Sequence, residues 1–155
     1  MTLSKFNFEQ VGPSLTDSDI SEFEREIGGV LDDDFKLQLR EINGGLARPI
    51  LRSNLPELQF EISMFLGLEP GYTQLRRAFF DLEESLDELA PELNKLVPFA
   101  LDFGDGAICV VLGKASSEVV YVPTINSLSD EDIALEVIVV AKSFNDFVDT
   151  LSEHE

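Results

Sequence analysis

Four apolar runs in the second half of the chain, divided by spacers too short for a crossover, restrict the possible folds more than any other feature. They are LVPFALDF at residues 96–103, AICVVLG at 107–113, EVVYVPT at 118–124 and IALEVIVVA at 133–141. All are short and rich in β-branched or aromatic residues, as strands are. Gly104-Asp105-Gly106 and the stretch from Lys114 to Ser117 are hairpin-length connections. A parallel pair needs a crossover of about a dozen residues or more, so these runs must pair antiparallel.

The first half reads differently. In TDSDISEFEREIG, residues 16–28, Ile20, Phe23 and Ile27 form one helical stripe, with Thr16 or Ser18 as cap and Gly28 as stop. A second helix places Asp32, Asp33 and Asp34 at its positive end and Leu31, Phe35, Leu39 and Ile42 on one face, and Asn43-Gly44-Gly45 closes it. Acids at a helix start stabilise it by roughly 0.3–1 kcal/mol each, which accounts for the triplet without a cation site. Residues 46–57, with Pro49 and Pro56, read as a loop. LQFEISMFLGL, residues 58–68, admits a strand or a helix before the Glu69-Pro70-Gly71 turn. From Tyr72 a clear helix follows: Tyr72, Leu75, Phe79, Leu82, Leu86 and Leu89 repeat at three and four, and Arg77, Asp81, Glu84 and Glu88 fall opposite. Ser143 caps a closing helix, SFNDFVDTL, with Phe144, Phe147, Val148 and Leu151 inward. Segregated helices and hairpin-linked strands define an α+β class, helices flanking a mostly antiparallel sheet, in one domain spanning residues 1–155. A chain of this length buries roughly 68–70% of its unfolded surface and needs no metal or disulfide to hold a core.

Charge narrows the partners. Thirty Asp and Glu against 11 Lys and Arg give a formal −19 at pH 7 and a pI near 4.1. Nucleic acid is excluded, because phosphate binding needs clustered cations, and an anionic membrane surface is disfavoured for the same reason. The longest apolar run is half a membrane span and is broken by Glu136, and MTLSKFNFEQ lacks the apolar core of a signal peptide. A cytoplasmic location is expected.

Catalytic equipment is sparse. The single histidine, His154, stands one residue from the end, so no interior imidazole serves as general base. The single cysteine, Cys109, lies in an apolar run, where a thiol behaves as a small core hydrophobe. Two candidate residues cannot supply a zinc site, no lysine has P-loop spacing, and Gly104-Asp105-Gly106 is too short for a dinucleotide fingerprint. Asp102 and Asp105 lack the alternating acids of a calcium loop and read as a hairpin turn. Some carboxylate pair suited to glycoside hydrolysis is inevitable among 30 acids, but no Trp and only two Tyr are present to build a sugar platform. The expectation is a binding module with no metal and no cofactor. Its partner is basic, unless the charge serves solubility alone.

ISEFEREIGGVLDDDFKLQLREINGG, residues 20–45, resembles the opening signature of the SUKH superfamily in Phe23-Glu24, Ile27-Gly28, Phe35-Lys36 and Asn43-Gly44-Gly45. LVPFALDFGDGAICVVLG is similar to that family's proline, Phe-Ala, acid, glycine-turn and Ile-Cys segment, and SFNDFVDTL to its closing helix. The three segments follow in order across residues 20–151. Asp32 stands where the family often has a proline, and Gly104-Asp105-Gly106 permutes the usual double-glycine-acid turn. The resemblance implies a curved, largely antiparallel sheet and transfers no catalytic residue. It also implies an immunity role, since bacterial members mostly bind and neutralise a cognate toxin of a polymorphic or contact-dependent system, frequently a nuclease, whereas yeast relatives are regulatory scaffolds.

The charge and the resemblance together predict a non-enzymatic immunity protein that occludes a basic toxin domain. The residues expected to meet it are Asp81, Glu84, Asp87 and Glu88, with Asp102, Asp105 and the run Asp130-Glu131-Asp132 in reserve. A regulatory adaptor for a cellular protein and a small carboxylate-dependent hydrolase are the alternatives.

Overall fold

Helix caps and glycine turns set the course of the first half of the chain. A computed structural model describes residues 3–56, 58–68, 74–89, 95–104, 106–112, 118–123 and 136–153, with the backbone alone at 88 and 89. Helix α1, Asp17–Ile27, opens on a reciprocal capping box: Thr16 Oγ1 accepts from the Asp19 amide at 3.1 Å, and Asp19 Oδ2 accepts from the Thr16 amide at 2.8 Å. It stops at Gly28, whose φ of 72° only glycine adopts cheaply. Helix α2, Asp33–Glu41, begins at Asp32 without a side-chain cap and carries Asp33 and Asp34 in its first turn.

Asn43-Gly44-Gly45 is a structural joint. Asn43 is buried; its Nδ2 donates to the carbonyls of Pro13 and Leu68, and its Oδ1 accepts from the Leu68 amide at 2.7 Å. Gly44 has φ of 71°, and a Cβ there would come within 2.7 Å of Gly67 Cα. One tripeptide thereby pins the end of α2 to the N-terminal segment and to the chain leaving the central sheet.

The sheet has seven strands in the order β8-β7-β6-β5-β4-β3-β9. These are β3 Leu51–Ser53, β4 Glu61–Phe65, β5 Leu96–Asp102, β6 Ala107–Val111, β7 Val119–Val122, β8 Ile138–Ala141 and β9 Leu151–Glu153, and every neighbouring pair is antiparallel. A separate two-stranded piece joins β1, Phe8–Glu9, to β2, Leu46–Ala47. Register shifts at Ile62/Met64, Pro98/Ala100 and Val119/Val120 bend neighbouring strands. Such bulges add twist, and here the sheet curls into a half-barrel. The bulge beside Pro98 also lets a proline sit inside a central strand.

Alternation along β6 divides the interior. Ile108 and Val110 face a large cluster filled by Phe23 of α1, Phe35 of α2, and Phe144 and Phe147 of α4, Phe144–Asp149. Ala107 and Cys109 face a smaller cluster closed by Leu82 and Leu86 of α3, Gln74–Leu89. Phe99 on β5 anchors the larger one, its ring centroid 5.2 Å from Phe144 and 5.7 Å from Phe147. The curved, antiparallel α+β architecture expected from the sequence is the one observed.

Two boundaries differ from expectation. Residues 46–57, expected as a loop, contain β2 and β3, because the prolines fall between strands rather than within them. The closing helix ends at Asp149; Leu151 is buried as expected, but in β9, which pairs with β3 through Ser53↔Leu151. Residues 58–68 resolve to the strand alternative, β4. The turns at Glu69–Gly71 and Lys114–Ser117, together with Tyr72, lie outside the described residues.

Candidate functional site: an acidic helix face and a charged cleft

Helix α3 presents acids because its other side is fully committed. Leu75, Phe79, Leu82 and Leu86 are buried. Phe79 meets Phe23 edge to face at 6.5 Å, and Arg76 Nε donates to Glu26 Oε2 at 2.6 Å. The helical period then turns Asp81, Glu84 and Asp87 to solvent. Asp81 and Glu84 enter no ion pair among the described residues. Glu88 belongs to the same helix, but its side chain lies outside the described residues.

Beside this face runs a groove of about 340 Å³ between α3 and the outer side of β4 and β5. Met64, Ala78, Leu82, Pro98 and Leu101 make its apolar floor, and Arg77, Asp81 and Ser85 its rim. An acid already expected at the interface therefore borders an apolar recess.

Asp102 is placed elsewhere. Successive strand residues point to opposite faces; Leu101 lines the α3 groove, whereas Asp102 reaches Tyr121 on the other side. Its Oδ1 accepts from the amides of Gly104, at 2.7 Å, and Gly106, at 3.0 Å, which builds the hairpin turn anticipated from Gly104-Asp105-Gly106. Its Oδ2 accepts from the Tyr121 hydroxyl. Burial, then the hydrogen bond to Asp102 and its negative charge, push the Tyr121 phenol well above its ordinary range. Asp105, Asp130, Glu131 and Asp132 lie outside the described residues.

Around Asp102 opens a cleft of about 440 Å³ bounded by Arg52, Gln59, Glu61, Phe103 and Tyr121. The sequence reading missed it because Arg52 lies in the stretch taken as loop. No local pattern marks it, because Leu51-Arg52-Ser53 is too short to display an alternation and the cleft forms only where this strand meets Asp102 and Tyr121. Cys109 is also fully buried, and desolvation pushes its thiol up, away from the reactive thiolate. No three His, Cys, Asp or Glu side chains are grouped to hold a metal ion among the described residues. No described helix is long and apolar enough to cross a membrane.

Helices laid on both sides of one curled antiparallel sheet define an α+β domain whose notable features are surfaces and clefts. Residues 14–150 match the SMI1 / KNR4 family (SUKH-1), and the chain belongs to that family. No curated protein matches the chain.

Proposed function

We propose that this protein is a non-catalytic immunity protein that binds a cognate toxin, a basic nuclease-type domain, and neutralises it by covering its cationic groove. Family membership supports an immunity role. The observation that carries the basic partner is the solvent face of α3, where Asp81 and Glu84 stand exposed without ion-pair partners among the described residues, on a chain of net charge −19. One exposed pair at 4 Å contributes only about 1 kcal/mol in water. Summed, such charges raise association rates to on the order of 10⁸–10⁹ M⁻¹s⁻¹ at low salt, which suits capture of a lethal protein soon after it appears. The apolar groove beside Asp81 adds the short-range burial that slows dissociation. The protein acts in the cytoplasm, where a nuclease meets its substrate.

Co-expression with the toxin reading frame beside its own gene tests this. The expected result is suppressed lethality and co-purification of the two products. Persistent lethality with both proteins soluble contradicts it.

A further inference from the structure

The cleft around Asp102 is used neither by the packing of the core nor by the acidic face of α3. Arg52 lines it, and the Arg52 Nε is buried without a hydrogen-bond partner among the described residues. The ion pairs of the described residues draw their cations from Lys36, Arg40, Arg48 and Arg76, and Arg52 is in none of them. A guanidinium that lines an open cleft and has no ion-pair partner among the described residues presents a demand for an anionic acceptor.

The surroundings select the acceptor. Glu61, opposite Arg52 in the strand register, and Asp102 line the same cleft. Two carboxylates against one guanidinium, on a chain of net charge −19, repel a simple anion. A simple cation leaves the Arg52 donor unmet. A ligand carrying both charges satisfies both demands, with its carboxylate on the guanidinium and its ammonium on Asp102. Asp102 has room for it: among the described residues Oδ1 takes two turn amides and Oδ2 the Tyr121 hydroxyl, and each carboxylate oxygen has two acceptor positions. Apolar surface completes the recess. Phe103 is 61% exposed at its mouth, and the Tyr121 ring lies stacked on Phe60. At about 440 Å³ the cleft falls in the range of about 300–1,000 Å³ typical of small-molecule sites.

We propose that this cleft binds a zwitterionic small ligand bearing an amine, a carboxylate and an apolar side chain, the chemistry of a free amino acid. The inference is independent of the toxin reading, since no residue of the α3 face takes part.

Three probes that differ by one charged group test it: L-phenylalanine, 3-phenylpropionate, which lacks the amine, and 2-phenylethylamine, which lacks the carboxylate. Each is titrated into the full chain while the amide resonances of Gly104 and Gly106 are followed by NMR. L-phenylalanine should move both resonances and bind at least about tenfold more tightly than either single-charge probe, the equivalent of one charge-assisted hydrogen bond. Arg52→Gln should reduce L-phenylalanine to the level of 2-phenylethylamine, and Arg52→Lys should restore part of the difference. Equal responses to the three probes, no response to L-phenylalanine, or an unchanged titration in a folded Arg52→Gln protein overturns the proposal. If Arg52→Gln does not fold, the three-probe comparison on the unaltered chain decides alone.

Discussion

Tyr121 donates its hydroxyl hydrogen to Asp102 while its ring lies flat on Phe60, with 4.6 Å between centroids and 12° between planes. A residue of β7 thus ties the β5–β6 turn to the aromatic interior. Gly106 is what permits the approach, because a Cβ there would come within 2.6 Å of both Tyr121 Cε1 and Tyr121 Oη.

That contact predicts how stability depends on alkali. The folded protein holds the Tyr121 proton more tightly than the unfolded chain does, so the contribution is complete below the unfolded value of about 10 and is lost as pH rises past it. Cys109 acts in the same direction from a lower start, since an unfolded thiol titrates near about 8.5. Urea unfolding should show stability falling above about pH 9. Tyr121→Phe should lose about 1–2 kcal/mol at neutral pH, through the missing hydrogen bond to a charged group, and should flatten the fall above pH 10. An unaltered alkaline slope in Tyr121→Phe contradicts the assignment.

Asn43 and Gly44 should be the least replaceable pair in the first half of the chain. Asn43→Ala leaves the Leu68 amide and two carbonyls without their partner in a buried place, an expected loss of about 2–4 kcal/mol by denaturant titration. Gly44→Ala adds a left-handed backbone penalty of about 1–2 kcal/mol to the collision with Gly67. A loss under about 0.5 kcal/mol in either variant, the level of an ordinary surface change, contradicts the joint described above.

Asp32 offers the opposite case. Its φ of −62° already suits proline, and its side chain makes no cap hydrogen bond. Its carboxyl is held above the usual range, by burial first and then by the charge of Asp34. Asp32→Pro should raise stability by about 0.4–1 kcal/mol, seen as a higher Tm in calorimetry, because it stiffens the unfolded chain and removes a crowded charge. A lower Tm contradicts this.

These residues also show what can be read from sequence. Helices α1, α2 and α3 were legible because Ile20, Phe23 and Ile27, then Phe35 and Leu39, and then Leu75, Phe79, Leu82 and Leu86 fall at the helical period. Strands β5, β6 and β7 were legible as apolar runs between short turns. The strands β2, β3 and β9 were not, because two or three residues cannot display an alternation, and their pairing is set by partners distant in sequence, as in Glu9↔Leu46 and Arg52↔Ser152. The candidate sites divided in the same manner. Asp81, Glu84 and Asp87 follow from the period of one helix, whereas the cleft at Asp102 depends on four segments meeting, which no local pattern records.

The association rate of this protein with the proposed toxin domain, measured across ionic strength for the natural chain and for the double variant Asp81→Lys, Glu84→Lys, tests the central claim most directly. The natural chain should associate rapidly at low salt and slow steeply as salt rises. The variant should associate at least about tenfold more slowly at low salt, with a flatter dependence and an unchanged fold. Identical rates and identical salt slopes for the two proteins would contradict the account.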